Sequence, residues 1–209
     1  MLYEEAARAI KKVDPHFKVG GPACTGALRK EYVEDFIRYC KEHKVPLDFF
    51  SWHSYGGRGR FNPYNYAEAA RRIRRALDKF GFKTTENIND EWNAGIGPGC
   101  FADKPAACPY YASTLAAFLD SGVSKAFQYC GDMHPGLGLH DACTGKPKRC
   151  AYSFVAWKKL LETPIRVYAE GSDKMGYAVV AGTDPQGKLV RILISDFQSA
   201  HEGVHLQVK

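Results

Sequence analysis

The fold of this chain is decided by residues 47–55, which read LDFFSWHSY. The first part of this segment is apolar and aromatic, as in a buried β-strand, and polar side chains follow at its end. Helical periodicity flanks it on both sides, over residues 31–43 and 64–80, where apolar side chains recur every three or four positions. A strand between two helices predicts a repeated unit in which right-handed crossovers join parallel strands.

The same alternation extends over most of the chain. Helices are predicted at residues 2–13, 31–43, 64–80, 106–119 and 151–161, and strands within residues 17–22, 47–53, 83–92 and 125–129. After Pro164, short apolar runs separated by turn sequences predict antiparallel strands at residues 166–169, 177–181, 189–194 and 204–208. The predicted fold is α/β, with a parallel sheet in residues 1–163 and a smaller β-region in residues 164–209.

Length and composition narrow the possible functions. The chain has 209 residues, of which 45% are hydrophobic and 25% charged, as in ordinary folded domains. It holds no apolar run of about 18 residues, so a membrane span is not expected, and its acidic N-terminus does not resemble a targeting peptide. A complete (β/α)8 barrel typically needs about 250 residues, more than this chain has.

The net charge of +6 raises the question of nucleic-acid binding. The densest basic run consists of Arg71, Arg72, Arg74 and Arg75, in a segment whose apolar residues recur at helical spacing. This pattern favours the solvated faces of a helix, and neither a stacking-aromatic platform nor a zinc-knuckle spacing accompanies it. We therefore expect no nucleic-acid partner.

The seven cysteines allow three interpretations. Cys100 and Cys108 flank one loop, and Cys143 and Cys150 flank another, so that each pair can close a short loop as a disulfide. Free thiols are the second interpretation. A metal site is the third, which the absence of a C-x-x-C motif disfavours. Disulfides would indicate an extracellular or periplasmic compartment, towards which the sequence leans without deciding it.

Polar and aromatic side chains gather at the predicted carboxyl ends of three strands. They read SWHSYGG at residues 51–57, NDEWN at residues 89–93 and QYCGD at residues 128–132. In parallel α/β folds, ligands bind at this edge of the sheet. Aromatic faces stack on sugar rings, and carboxylates and amides bind hydroxyl groups. The predicted ligand is therefore a carbohydrate, and a carboxylate in such a cleft suits glycosidic chemistry.

Each of these residues also has a structural interpretation. Trp52 and Trp92 are of a type often found in a core, and His53 can be a hydrogen-bonded core histidine. The loop after the fourth strand suggests a metal site, formed by Asp132, His134, His140 and Asp141. The intervening PGLG sequence reads as an ordinary loop and disfavours it. We predict neither a metal nor another cofactor.

Four motifs in this order resemble the second half of a clan A glycoside hydrolase, most closely family 39, the family of β-xylosidases and α-L-iduronidases. The motifs are KVGGPA at residues 18–23, DFFSWHSY at residues 48–55, DEWN at residues 90–93 and FQY at residues 127–129. The resemblance implies that residues 1–163 form strands five to eight of a (β/α)8 TIM barrel, which is half of the barrel. Residues 164–209 would then begin an accessory β-domain.

The resemblance also implies site residues. Glu91 matches the nucleophile of a retaining mechanism, with Glu86 as the alternative if the register differs. His53 and Tyr55 match a His-x-Tyr motif, in which the tyrosine hydrogen-bonds the nucleophile and the histidine contacts the sugar. The other predicted substrate-binding residues are Trp52, Trp92, Asn93, Tyr129 and Asp132.

The chain departs from the family pattern at three points. Asp90 stands where the family has Thr, and Cys130 where it has Trp. The family's acid/base belongs to an Asn-Glu-Pro motif, and no Asn-Glu dipeptide occurs here. We therefore expect a retaining glycosidase for xyloside-type polysaccharides or oligosaccharides that is weak or inactive alone, or alternatively a non-catalytic carbohydrate-binding or self-assembling half-barrel. The missing strands would come from an N-terminal half-barrel or a second copy of the chain.

Overall fold

Helices and strands alternate through the first 160 residues of the computed structural model, which describes residues 1–25, 29–56, 62–95, 101–198 and 203–207. Within these ranges, α-helices lie at Leu2–Val13 (α1), Lys30–Glu42 (α2), Asn65–Lys79 (α3), Ala107–Leu119 (α4) and Ala151–Leu160 (α5). Strands lie between them at Gly20–Thr25 (β1), Phe49–Tyr55 (β2), Glu86–Asn93 (β3) and Lys125–Gln128 (β4). A 3₁₀ turn, Phe101–Asp103, precedes α4.

These strands form one parallel sheet in the order β1-β2-β3-β4. Each pairs with its neighbour in the sequence, as expected when a helix crosses over between parallel strands. Phe50 and Trp52 of β2 are fully buried and belong to the main core, together with Ile73 and Leu77 of α3. The predicted α/β fold with a parallel sheet is confirmed.

Strand β1 runs later than predicted, over residues 20–25 instead of 17–22. Gly21 and Pro22, at the end of the predicted range, both lie inside the observed strand. Proline is tolerated in a strand at the edge of a sheet, because one side of that strand forms no hydrogen bonds with a neighbouring strand. Among the described strands, β1 lies at such an edge. At Val19, just before the strand begins, the N–H donates to the Asp48 carboxylate at 2.8 Å.

Helix α3 turns one apolar side towards the sheet. Its buried residues are Tyr66, Ala67, Ala69, Ala70, Ile73, Ala76 and Leu77. Arg71 and Arg75 are exposed, as predicted for the basic run. Arg74 has a structural task, because its guanidinium donates to the carbonyl oxygens of Phe82 and Thr85, each at 2.6 Å. Part of the basic run therefore holds the connection between α3 and β3.

A second, antiparallel sheet follows α5. It consists of Ile165–Val167 (β5), Tyr177–Thr183 (β6) and Val190–Asp196 (β7), in that order. The strand predicted at residues 204–208 is wrong for residues 204–207, which form no strand, and Val208 lies outside the described residues. No described strand pairs with this segment, and apolar alternation does not produce a strand without a partner for its backbone hydrogen bonds.

Helix α4 lies between the two sheets and is buried on nearly all sides. The Ser113 hydroxyl donates to Ser195 Oγ of β7 at 2.9 Å, and Ser195 Oγ in turn donates to the Pro109 carbonyl at 2.7 Å. A small apolar cluster joins the same elements; it contains Ala112, Leu160, Val180 and Leu193. The antiparallel sheet therefore packs directly against a helix of the parallel sheet.

The cysteines that the structure describes are free thiols. Cys143 is exposed whereas Cys150 is buried, so the disulfide considered between them is not formed; Cys100 lies outside the described residues. Within the described ranges no three His, Cys, Asp or Glu side chains group as metal ligands, the loop with Asp132 and Asp141 included. None of the described helices is long and apolar enough to span a membrane.

Candidate active site

Glu91, the predicted nucleophile, lies with His53 and Tyr55 at the carboxyl ends of β2 and β3. His53 and Glu91 are register partners in the parallel ladder. The Tyr55 hydroxyl donates a hydrogen bond to Glu91 Oε1, and His53 Nδ1 lies 3.7 Å from Glu91 Oε2. The structure therefore brings together three of the side chains that the sequence predicts for one site.

A β-bulge at Asp90 sets the direction of the side chains around Glu91. Trp52 pairs with Asn89, and His53 pairs with Glu91, so that Asp90 is the extra residue on β3. Bulges re-aim side chains and are common beside active sites. Here Asp90 Oδ1 lies 3.5 Å from His53 Nε2. The imidazole is therefore flanked by two carboxylates, each facing a different ring nitrogen.

Tyr55 is partly buried in this group. Burial raises the pKa of its phenol well above the ordinary value, and the hydrogen bond to Glu91 raises it further. Tyr129 and Cys130 raise this pKa slightly more, and the Tyr129 N–H donates to the Trp92 carbonyl at 2.9 Å, beside Glu91 in β3. Because a raised pKa keeps the phenol protonated, Tyr55 remains a hydrogen-bond donor at neutral and mildly alkaline pH.

The residues that follow β4, from Tyr129 to Asp132, lie on one side of the site. Tyr129 is 41% exposed, which leaves its ring open to a ligand. Asp132 Oδ1 accepts hydrogen bonds from Cys130 Sγ at 2.8 Å and from the His134 N–H at 2.9 Å, and these bonds lower the pKa of Asp132. Burial, and then the bond to Asp132, raises the pKa of Cys130 to about 11. Asp132 thus shapes the loop after β4.

Trp52 and Trp92 are not available to stack on a sugar, contrary to the prediction. Both side chains have 0% exposure. Trp52 Nε1 donates to Asn87 Oδ1 at 2.8 Å, and Trp92 packs edge-on against Tyr111. Each tryptophan is next in sequence to a site residue, and successive residues of a strand point to opposite faces. Both therefore face the helices, an orientation that strand alternation in the sequence already indicates.

Asn93 is also buried, so the prediction that it contacts a sugar is wrong. Its side chain has 0% exposure. Asn93 Oδ1 accepts the Tyr111 hydroxyl at 2.6 Å, and Nδ2 donates to the carbonyls of Leu137 at 3.0 Å and of Tyr129. With both ends of its amide occupied, Asn93 holds the chain that follows β4 in place.

Glu86, the alternative nucleophile, lies at the opposite end of β3. Hydrogen bonds from Lys18 and then Lys125 to its carboxylate lower its pKa. Five residues of strand, about 16 Å at the usual rise, separate it from Glu91. Since His53 lies beside Glu91 and not beside Glu86, the alternative register is wrong.

Asp90 and Cys130 are not among the predicted site residues; the sequence marks them as strand-end residues and as departures from the family pattern. Asp90 reaches His53 because of the bulge, and Cys130 interacts electrostatically with the phenol of Tyr55. In the sequence, Asp90 could have been identified as a site residue from its position beside the predicted nucleophile. Cys130 could have been identified from its position directly after a predicted strand. The bulge itself has no signature in the sequence.

Sequence comparison identifies related proteins. The sequence model of glycosyl hydrolases family 39 matches residues 1–132. A β-xylosidase of Caldicellulosiruptor saccharolyticus is 28% identical over 182 residues, which cover 76% of this chain and 36% of that protein. A β-xylosidase of Geobacillus stearothermophilus is 54% identical over 54 residues, which cover 26% of this chain and 10% of that protein.

Solved structures show the same architecture. A glucosidase from Croceicoccus marinus matches with a TM-score of 0.79 and 32% identity, over 94% of this chain and 43% of that chain. A GH39 enzyme from Xanthomonas axonopodis pv. citri matches with a TM-score of 0.73 and 23% identity, over 97% of this chain and 42% of that chain. This chain therefore spans less than half the length of these relatives.

Proposed function

This chain belongs to glycosyl hydrolases family 39, and from that premise we propose that it forms the nucleophile side of a retaining glycosidase site. The observation that carries the proposal is the contact of Glu91 with Tyr55 and His53 at the carboxyl ends of adjacent parallel strands. A carboxylate held by a phenol hydrogen bond at this edge of the sheet is suited to attack an anomeric carbon.

In the proposed reaction, Glu91 forms a covalent glycosyl ester that water then hydrolyses. Tyr55 holds Oε1, so that Oε2 is the attacking oxygen. His53 hydrogen-bonds the sugar, and the exposed ring of Tyr129 stacks against it. This route needs a second carboxyl group, about 5–5.5 Å from the first, to protonate the leaving oxygen.

No residue of the chain is assigned to that second role. The Asn-Glu-Pro motif that carries it in the family does not occur in the sequence. General acid catalysis typically contributes about 10²–10⁴-fold to the rate. We therefore propose that the chain alone is a weak or inactive hydrolase on natural glycosides, with most residual activity on aryl glycosides, whose leaving groups need little protonation.

Xylosides are the proposed substrate class. The two related sequences are β-xylosidases, whereas one similar structure is a glucosidase. Xylose and glucose are both pyranoses and differ by one hydroxymethyl group. A matched pair of aryl β-xyloside and aryl β-glucoside therefore distinguishes the two substrates.

We further propose that the parallel sheet is half of a (β/α)8 barrel. Residues 1–163 would supply strands five to eight, and residues 164–209 would begin an accessory β-domain. The consecutive strand order and the coverage of 42–43% of the similar structures support this proposal. Neither β1 nor β4 has an outer neighbour among the described strands, so the sheet has room for an N-terminal half-barrel or a second copy.

Replacement of Glu91 tests the catalytic proposal. Glu91→Gln keeps the shape of the side chain but is a poor nucleophile, so we expect hydrolysis of nitrophenyl β-xyloside to fall at least about 100-fold. Glu86→Gln is the matched control, because it changes a carboxylate on the same strand at the far end from His53. Its rate should stay within about threefold of the wild type.

Two outcomes contradict the proposal. Equal losses in Glu91→Gln and Glu86→Gln would show that the change acts on the fold. If no variant and no wild-type preparation hydrolyses any aryl glycoside, while xylo-oligosaccharides still bind in calorimetry, the chain is a carbohydrate-binding module without chemistry.

A further inference from the structure

Asp90 has a carboxylate oxygen that no donor satisfies. Its Oδ1 atom is buried, and within the described ranges it accepts no hydrogen bond. The ring nitrogen that faces it, His53 Nε2, lies at 3.5 Å, just beyond the usual hydrogen-bond length. A buried carboxylate oxygen without a donor costs free energy, so it gains from an N–H directed towards it.

A neutral His53 has one ring hydrogen to donate, and two carboxylates face it. Nε2 is 3.5 Å from Asp90 Oδ1, and Nδ1 is 3.7 Å from Glu91 Oε2. Glu91 already accepts the Tyr55 hydroxyl, whereas Asp90 Oδ1 accepts nothing in the part of the chain that the structure describes. The ring hydrogen of His53 therefore stabilises the site more on Nε2, where it faces Asp90, than on Nδ1. The hydrogen-bond partner of a ring nitrogen determines the tautomer of a histidine.

We propose that Asp90 is a positioning residue that fixes His53 in the tautomer with hydrogen on Nε2. Nδ1 then presents its lone pair beside Glu91, where it accepts the hydrogen bond of a sugar hydroxyl. Because that hydroxyl donates to Nδ1, Glu91 Oε2 stays free for the anomeric carbon. This inference rests on the proposed role of Glu91 as the nucleophile.

The other titratable groups around this array do not compete for the hydrogen. On β1, burial, and then the charge of Asp90, raises the pKa of Cys24 to about 11, so that this thiol stays protonated at neutral pH. On β2, the Tyr55 hydroxyl is committed to the nucleophile. Tyr129 and Cys130, which follow β4, interact electrostatically with the phenol of Tyr55.

Nitrogen NMR of the full chain labelled with ¹⁵N-histidine tests the proposal. His53→Gln identifies the ring signals of His53 among those of the seven histidines. Spectra at about pH 9, above the usual titration range of imidazole, show which nitrogen carries the hydrogen. We expect Nε2–H in the wild type and a shift to Nδ1–H in Asp90→Ala, where Glu91 is the remaining carboxylate.

The matched control is Asp14→Ala. It removes a carboxylate that lies 3.0 Å from Nδ1 of another histidine, His16, on the exposed surface. It should leave the His53 signals unchanged. Nδ1–H in the wild type, or His53 signals that Asp90→Ala leaves unchanged, would overturn the proposal. If Asp90→Ala does not fold, the wild-type spectrum alone tests the proposed tautomer of His53.

A second measurement follows the covalent labelling of Glu91 by a 2-fluoro aryl xyloside, read by mass spectrometry. Asp90→Ala should slow this labelling about tenfold, since a donor would then occupy Oε2. A rate within about twofold of the wild type would overturn the positioning role. If the wild type is never labelled, the proposed function fails, whereas the tautomer of His53 is still decided by the nitrogen spectrum.

Discussion

At the scale of single residues, Tyr55 holds the carboxylate of Glu91 in one orientation. Its hydroxyl donates to Oε1, and burial raises the pKa of the phenol, so the donor persists at neutral pH. Hydrogen bonds to charged groups contribute about 1.5–3 kcal/mol. Loss of this bond should therefore change the rate of any reaction at Glu91 without removing the carboxylate itself.

Tyr55→Phe is expected to slow the labelling of Glu91 by a 2-fluoro aryl xyloside about 10- to 100-fold, which corresponds to that free energy. Mass spectrometry measures the rate. Tyr64→Phe is the matched control, because it removes a hydroxyl that donates to the Tyr177 carbonyl at 3.1 Å, outside the site. Equal slowing in both variants would show that the hydroxyl of Tyr55 acts through the fold.

The grouping of Glu91, His53 and Tyr55 follows from the sequence, because residues at the ends of neighbouring parallel strands meet at one edge. The burial of Trp52 follows from strand alternation, because Trp52 lies on the face of β2 opposite to His53. Asn93 is different, because partners far along the chain occupy its amide, Leu137 among them. Only tertiary structure brings such partners together.

At the scale of secondary-structure elements, Asp48 joins three elements at the amino end of the sheet. Its carboxylate accepts the Val19 N–H and pairs with Lys11 of α1, both at 2.8 Å. Its carbonyl accepts the Glu86 N–H of β3 at 2.9 Å. Burial raises the pKa of Asp48, but the bonds from Lys11 and Val19 outweigh it, so the pKa lies below the ordinary value.

Asp48→Asn should lower the free energy of unfolding by about 1 kcal/mol at pH 7, a value reduced for solvent screening because the side chain is 34% exposed. The pKa of Asp48 is lower in the folded chain than in the unfolded chain. Its contribution is therefore complete above the unfolded value of about 4 and is lost as the pH falls through the folded value.

Urea unfolding of wild type and Asp48→Asn at several pH values measures this contribution. The two curves should differ at pH 7 and approach each other as the pH falls through the folded pKa of Asp48. Asp35→Asn is the control, since Asp35 is exposed and its partner among the described residues is Arg38, one turn along α2, so its effect should stay below about 0.5 kcal/mol. A difference that persists unchanged at low pH would contradict the assignment to the ionised carboxylate.

Most helices and strands could be predicted from the sequence, and the segments that could not be predicted share one cause. Helices α1, α2 and α3 have strong apolar periodicity, and the observed ends of the five described helices lie within one residue of the predicted ends. Strand β1 and residues 204–207 differ from prediction because a strand is defined by its partner. Pro22 is accepted at a sheet edge, and Val204 has no described strand beside it. Sequence periodicity describes a segment but not its partner.

At the scale of the whole molecule, the two sheets share α4. The parallel sheet packs on one side of this helix, and Ser195 of β7 and Leu193 contact it from the other. The division at residues 163 and 164 stays a prediction, but the shared helix means that the antiparallel sheet buries a surface that the parallel sheet alone would expose. The antiparallel sheet is therefore packed as one body with α4 and the parallel sheet.

The face of the parallel sheet that points away from the helices carries an exposed apolar side chain. Phe127 of β4 is 53% exposed, whereas its neighbour Ala126 packs against the main core, so Phe127 points away from the helices. An exposed phenylalanine beside an unpaired strand edge favours association. We expect the chain, at micromolar concentration, to show a mass above 23.3 kDa in multi-angle light scattering.

Phe127→Lys should weaken this association at least about tenfold, because burial of a phenylalanine contributes about 1.5–3 kcal/mol and a buried lysine opposes it. Val13→Lys is the matched control, since it places the same charge on an apolar residue that is 80% exposed at the end of α1, away from the sheet face. A folded wild-type monomer at micromolar concentration would contradict self-association. The half-barrel proposal would then depend on a separate N-terminal half, whose binding Phe127→Lys should also weaken.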